Sequence, residues 1–124
     1  MTDEVLLYAA SSLLILWGVA HLMPTRSVAG FGSISAENTR VITMEWIAEG
    51  LTMIFVGALV VLVTALGGAD DSVSSVVYGA SAGLLAAIAV LTALTGARTP
   101  VVWFKACPLL LATVIALLLL GSAL

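Results

Sequence analysis

The chain has 124 residues, of which 62% are hydrophobic and 9% charged, with a formal net charge of −3 and a mean hydropathy of +1.25. Soluble domains carry about 25% charged residues, so this composition excludes an ordinary soluble domain, and the acidic balance argues against nucleic acid as a partner. A single cysteine excludes an internal disulfide.

A helix needs about 20 predominantly apolar residues to cross a hydrocarbon core of about 30 Å. Four stretches between charged residues meet that length, and they predict one domain over residues 1–124 with helices at about 5–23, 39–66, 73–95 and 100–123. Helix one ends at Pro24, which cannot continue the hydrogen-bond ladder. Its acidic start, Met1-Thr2-Asp3-Glu4, and its long apolar run separate it from a signal peptide, which opens on basic residues. The connection Thr25 to Asn38 is the longest, with Gly30, Phe31 and Gly32 in a turn and Ser35 as N-cap. Helix two is longer than one crossing requires, so its first turns belong to the interface. Gly67 to Asp71 forms a short turn, with Asp71 or Ser72 capping helix three. In helix three, Gly79, Gly83 and Ala87 are spaced by four and predict a flat stripe for close helix contact. Gly96 closes that helix, Pro100 suits the first turn of helix four, and Pro108 bends it.

The charges define a topology. Arg26 and Arg40 flank the first connection, and Arg98 and Lys105 flank the third. The N-terminus (Asp3, Glu4) and the second connection (Asp70, Asp71) carry only acids. Short loops rich in Lys and Arg stay in the cytoplasm. The expected architecture is therefore all-α: an integral membrane antiparallel four-helix bundle, N-out and C-out, in the plasma membrane of a prokaryote.

This topology gathers the polar chemistry in the cytoplasmic half. Glu45 and Glu49 are one turn apart and share a face of helix two, and intramembrane acids are usually functional or paired. Three roles are open to them: interfacial pairing with Arg26, Arg40 or Arg98, binding of a ligand or proton, or contact with lipid headgroups. His21 lies near the same depth, and in an antiparallel hairpin a hydrogen bond to Glu45 or Glu49 is geometrically natural. A lone His argues against a haem or metal centre, and a buried histidine that locks the hairpin is the simpler role. Trp17, Trp46 and Trp103 fall near the same boundary, either as an aromatic belt or as walls of a small pocket. Cys107 reads as a small packing residue.

The string His21-Leu22-Met23-Pro24, followed by Glu45-Trp46-Ile47-Ala48-Glu49-Gly50, resembles the DoxX-like superfamily of small four-helix membrane proteins. Members tend to carry a Gly-x-x-His motif late in helix one, here Gly18 to His21, and an acid opening helix two before small residues. The resemblance covers helices one and two. It implies roles such as membrane subunits of quinone-linked sulfur oxidation or partners in redox-stress complexes. The lack of paired cysteines speaks against thiol–disulfide catalysis. Small multidrug transporters, similar in size, carry their essential Glu in helix one, where this chain has no acid between Val5 and Met23.

The functional expectation is a membrane binding or accessory protein with a cytoplasm-facing pocket formed by His21, Glu45, Glu49, Trp17 and Trp46, with Arg26, Arg40 and Arg98 as counter-charge. No metal or cofactor is expected, nor catalysis by the chain alone. The expected partners are the lipid bilayer, a lipid, quinone or small lipophilic ligand, and further copies of the chain in a homodimer. The alternatives are a subunit of a quinone-linked redox enzyme and a proton-coupled small transporter.

Overall fold

The computed structural model describes residues 1–30 and 32–124, and it is built of helices: α1 (Thr2–Leu22), α2 (Thr25–Ala29), α3 (Ala36–Gly67), α4 (Ser72–Leu94), a 3-10 turn (Gly96–Arg98) and α5 (Val102–Ala123). Phe31, expected in the turn between Gly30 and Gly32, lies outside the described residues. Four helical segments are long and apolar enough to cross a membrane: α1, α3, α4 continued through the 3-10 turn, and α5. Large apolar side chains also cover their outer faces, as with Leu16, Phe55, Val76 and Leu109, each at least 65% exposed. Helices apolar on all sides suit a lipid surround.

Two caps form as their residue types dictate. The Ser35 hydroxyl accepts from Asn38 N at 3.2 Å, and an Asp71 carboxylate oxygen accepts from Val73 N and Ser74 N at 2.9 and 3.1 Å. Other boundaries depart from expectation. The first connection is not all loop: after Pro24 the chain makes the short α2, and α3 starts at Ala36. Pro100 falls before α5, whose N-cap is Val101. Thr95 caps α4, and Gly96 opens the 3-10 turn rather than closing the helix.

Inward positions recur at spacings of three and four, which keeps one face of each helix toward the core. They are Leu7, Ala10, Leu14 and Gly18 in α1; Met53, Val56, Val60 and Thr64 in α3; Leu111, Val114, Leu118 and Gly121 in α5. Tyr78 and Leu85 of α4 join the same core. α1 packs against α3 and α5, α4 packs against α5, and α4 rests more lightly on α3.

The closest approach is between α1 and α3, which run antiparallel. A Cβ on Gly18 would sit 3.0 Å from Gly50 O, and one on Gly57 would sit 2.9 Å from Ser11 O and 2.6 Å from Ile15 Cγ1. Ser11 and Gly18 on one helix thus face Gly57 and Gly50 on the other, both pairs seven residues apart. α5 meets α1 in the same way, since a Cβ on Gly121 would lie 3.0 Å from Asp3 O. α4 is tied to α3 by polar side chains: Tyr78 Oη lies 2.7 Å from Thr64 Oγ1, and Ser74 donates to Val63 O at 3.1 Å.

The expected stripe in α4 does not make an internal contact. A Cβ on Gly79 or Gly83 would meet nothing within 4 Å, and Ala87 is exposed. Every face of α4 is apolar or small, so spacing alone does not show which one turns inward. Small residues create close packing in this molecule at Gly18, Gly50, Gly57 and Gly121 instead.

Gly57→Val is expected to lower the thermal unfolding midpoint in detergent, with a loss of about 1–3 kcal/mol from overpacking, whereas Gly83→Leu is expected to leave it unchanged. A larger drop for Gly83→Leu than for Gly57→Val would reverse this assignment of faces.

Candidate functional site

The close crossing of α1 and α3 sets the geometry at the end of the molecule where α1 stops and α3 begins. With Gly18 against Gly50, one further turn of α1 brings His21 onto Trp46. The two rings stack with centroids 3.8 Å apart and planes inclined by 15°. Their hydrogen bonds are reciprocal and each uses the other residue's main chain. Trp46 Nε1–H donates to His21 O at 2.7 Å. His21 Nε2 lies 3.2 Å from Trp46 O. A carbonyl only accepts, so Nε2 carries the proton and donates it.

That assignment leaves Glu49 without a donor. Its Oε2 is 3.7 Å from His21 Nε2, beyond hydrogen-bond range, and the Nε2 proton is already committed to Trp46 O. Glu49 Oε1 is buried with no hydrogen-bond partner. The Trp17 indole Nε1–H is buried and unpartnered in the same way. The Cys107 thiol lies beside the Trp17 indole and Thr92, but a thiol is a weak acceptor.

These groups border a cavity of about 590 Å³, within the range of small-molecule sites. α1 contributes Trp17, Ala20 and His21, and Pro24 with Ser27 and Val28 of α2 adds to the lining. α3 contributes Trp46 and Glu49. The far wall is made by the end of α4 (Thr92), the α4–α5 connection (Thr95, Gly96, Val101) and the start of α5 (Trp103, Phe104, Cys107). Trp46 also meets Phe104 ring to ring at 5.5 Å. The lining is predominantly aromatic and aliphatic, with few polar atoms converging on it.

Of the residues expected at a pocket or offered as its walls, Trp17, His21, Trp46, Glu49 and Trp103 come together here. Glu45, Arg26, Arg40 and Arg98 do not: all four are exposed and none lines the cavity. Glu45 precedes Glu49 by four residues, a rotation of about 40° around the helix, and this carries it off the inward face. Among the described residues no arginine or lysine lies within ion-pair distance of a carboxylate, so pairing of the acids with Arg26, Arg40 or Arg98, one of the three roles open to them, is not seen. His21 bonds to a backbone carbonyl rather than to either Glu. No group of three His, Cys, Asp or Glu residues able to hold a metal ion occurs among the described residues.

Thr92, Phe104 and Cys107 are wall residues that no motif marked. Their one signal was position: each lies within about three turns of the third connection, at the same membrane level as His21. Cys107 is buried, as a packing residue should be, yet it also borders the cavity.

His21→Ala and Trp46→Phe should each lower stability by about 1–2 kcal/mol, the usual value of a part-buried hydrogen bond and stack. Their double mutant should cost less than the sum. Glu45→Gln, on the exposed face, should be neutral. Unfolding midpoints of the four variants check this, and strict additivity of the first two would show that the pair is not one unit.

No family model matches the chain, and neither the curated proteins nor the solved structures provide a match.

Proposed function

We propose that the protein is a multi-pass membrane protein that binds a small, largely apolar ligand in the cavity between the α1/α3 pair and the α4–α5 connection. One observation carries this reading: an aromatic-walled cavity of about 590 Å³ borders two buried polar atoms, Glu49 Oε1 and Trp17 Nε1, that have no hydrogen-bond partner among the described residues. Buried polar groups are almost always satisfied, and leaving one unsatisfied costs about 1–3 kcal/mol. Two such groups beside one cavity are accounted for by a ligand that completes them. In this reading the chain binds rather than catalyses on its own.

The four long helices form an antiparallel membrane bundle with both termini outside and the cavity at the cytoplasmic end, in the plasma membrane of a prokaryote. Segregation of charge supports this orientation. Arg26, Arg40, Arg98 and Lys105 belong to the helix ends and connections around the cavity. At the other end, Glu4 lies 3.9 Å from the position of a Cβ on Gly68, and Asp70 is close enough to the amino terminus to act on its charge. The residues that carry the resemblance to the DoxX-like superfamily include His21, Trp46 and Glu49, all at this cavity.

Cysteines introduced at Ser33 and Ser72 in a Cys107→Ser background should react with an impermeant thiol reagent from opposite sides of the membrane, Ser72 from outside. Equal reaction of both from one side would overturn the orientation. For the cavity, the neutral fluorophore N-phenyl-1-naphthylamine should show saturable energy transfer from tryptophan in nanodiscs, above that of empty discs. Thr92→Phe, placing a ring in the cavity, should weaken this by at least about tenfold (about 1.4 kcal/mol) with little change in unfolding midpoint. Transfer that never saturates, or that Thr92→Phe leaves unaltered, would remove the cavity as a binding site.

A further inference from the structure

We propose that the ligand of this cavity is an organic cation, an ammonium carrying an apolar substituent, held by the Glu49 carboxylate among the aromatic side chains that border the space. The proposal rests on the binding function above and names its chemical class. Three observations on the walls point the same way.

The first is the balance of charge. Of the chain's formally charged side chains, only Glu49 borders the cavity; Arg26, Arg40, Arg98 and Lys105 stand outside it. The second is the commitment of His21. Its Nε2–H is spent on Trp46 O at 3.2 Å, and at 3.7 Å from Glu49 it supplies the carboxylate with no hydrogen bond. Glu49 therefore faces the cavity as an acceptor that the chain itself leaves unmet. The third is the aromatic lining. Trp17, Trp46, Trp103 and Phe104 all border the space, and the negative face of an aromatic ring attracts a cation, most strongly for tryptophan and in a desolvated setting.

Other ligand classes fit less well. A neutral quinone offers acceptor oxygens, which would serve Trp17 Nε1–H but set oxygen lone pairs against Glu49. A fatty acid or phosphate headgroup would bring a second negative charge beside the carboxylate with no basic side chain among the lining residues. An alkylammonium carrying one acceptor oxygen removes both conflicts: its charge meets Glu49, its oxygen accepts from Trp17 Nε1–H, and its apolar remainder occupies the rest of the lining.

Two nearly isosteric compounds test this, benzyltrimethylammonium and its uncharged carbon counterpart neopentylbenzene. Each competes with N-phenyl-1-naphthylamine for the protein in nanodiscs. The wild type should prefer the cation by at least about tenfold. Glu49→Gln should bring the preference close to one, Glu49→Asp should retain most of it, and Glu45→Gln, outside the cavity, should not alter it. Equal competition by both compounds in the wild type, or an undiminished preference in Glu49→Gln, overturns the cation proposal while leaving the cavity as a binding site. Failure of the naphthylamine itself to bind saturably overturns both.

Discussion

Most of what distinguishes this molecule depends on how closely α1 and α3 approach. In lipid there is no gain from hiding apolar surface between helices, because the tails outside are equally apolar; close contact of backbones and side chains must supply the cohesion. Gly18, Gly50 and Gly57 have no side chain at the three points where one would collide with the facing helix. This near contact puts the carbonyl oxygens of His21 and Trp46 within reach of each other's ring nitrogens. With bulkier residues at the crossing, the rings would stand too far apart to stack at 3.8 Å.

The polarity of the cavity follows from that arrangement. His21 Nε2 stands at ion-pair distance from Glu49 Oε2, 3.7 Å, a contact that would neutralise the carboxylate only with a protonated ring and that is too long for a hydrogen bond. Here the backbone takes the imidazole proton first, and the carboxylate is left beside the ring without being bonded to it. The His21 side chain is 7% exposed and that of Glu49 is 28% exposed, so the histidine serves the helix pair and the glutamate serves the open space. Two residues of similar depth thus have different parts because one has a main-chain partner and the other has none.

Much of this was legible in the sequence, and the illegible parts share a cause. Four apolar segments, the caps at Ser35 and Asp71, the exit at Pro24 and the convergence of His21, Trp46 and Glu49 all follow from composition, cap chemistry and hairpin geometry. Facing was harder. In a soluble helix, polar residues mark the outside, but in α4 both the inward Tyr78 and Leu85 and the outward Val76 and Val90 are apolar or aromatic, so Gly79 and Gly83 could not be assigned a side. The same ambiguity made Glu45 and Glu49 look equivalent, although only the second points into the cavity. The wall formed by Thr92, Phe104 and Cys107 required knowing that the end of α4 and the start of α5 lie across the cavity from the end of α1, a long-range arrangement that no local spacing records.

The two walls of the cavity are also built with different mechanical stiffness. On one side, His21 and Trp46 fasten two helices through each other's main chain, so turning either ring would require shearing α1 along α3. On the other side, the chain passes from α4 through a single 3-10 turn into α5, a continuous helix that contains Pro108, where one rung of the ladder is missing. A load applied from inside the cavity would be borne rigidly by the first wall and taken up by the second.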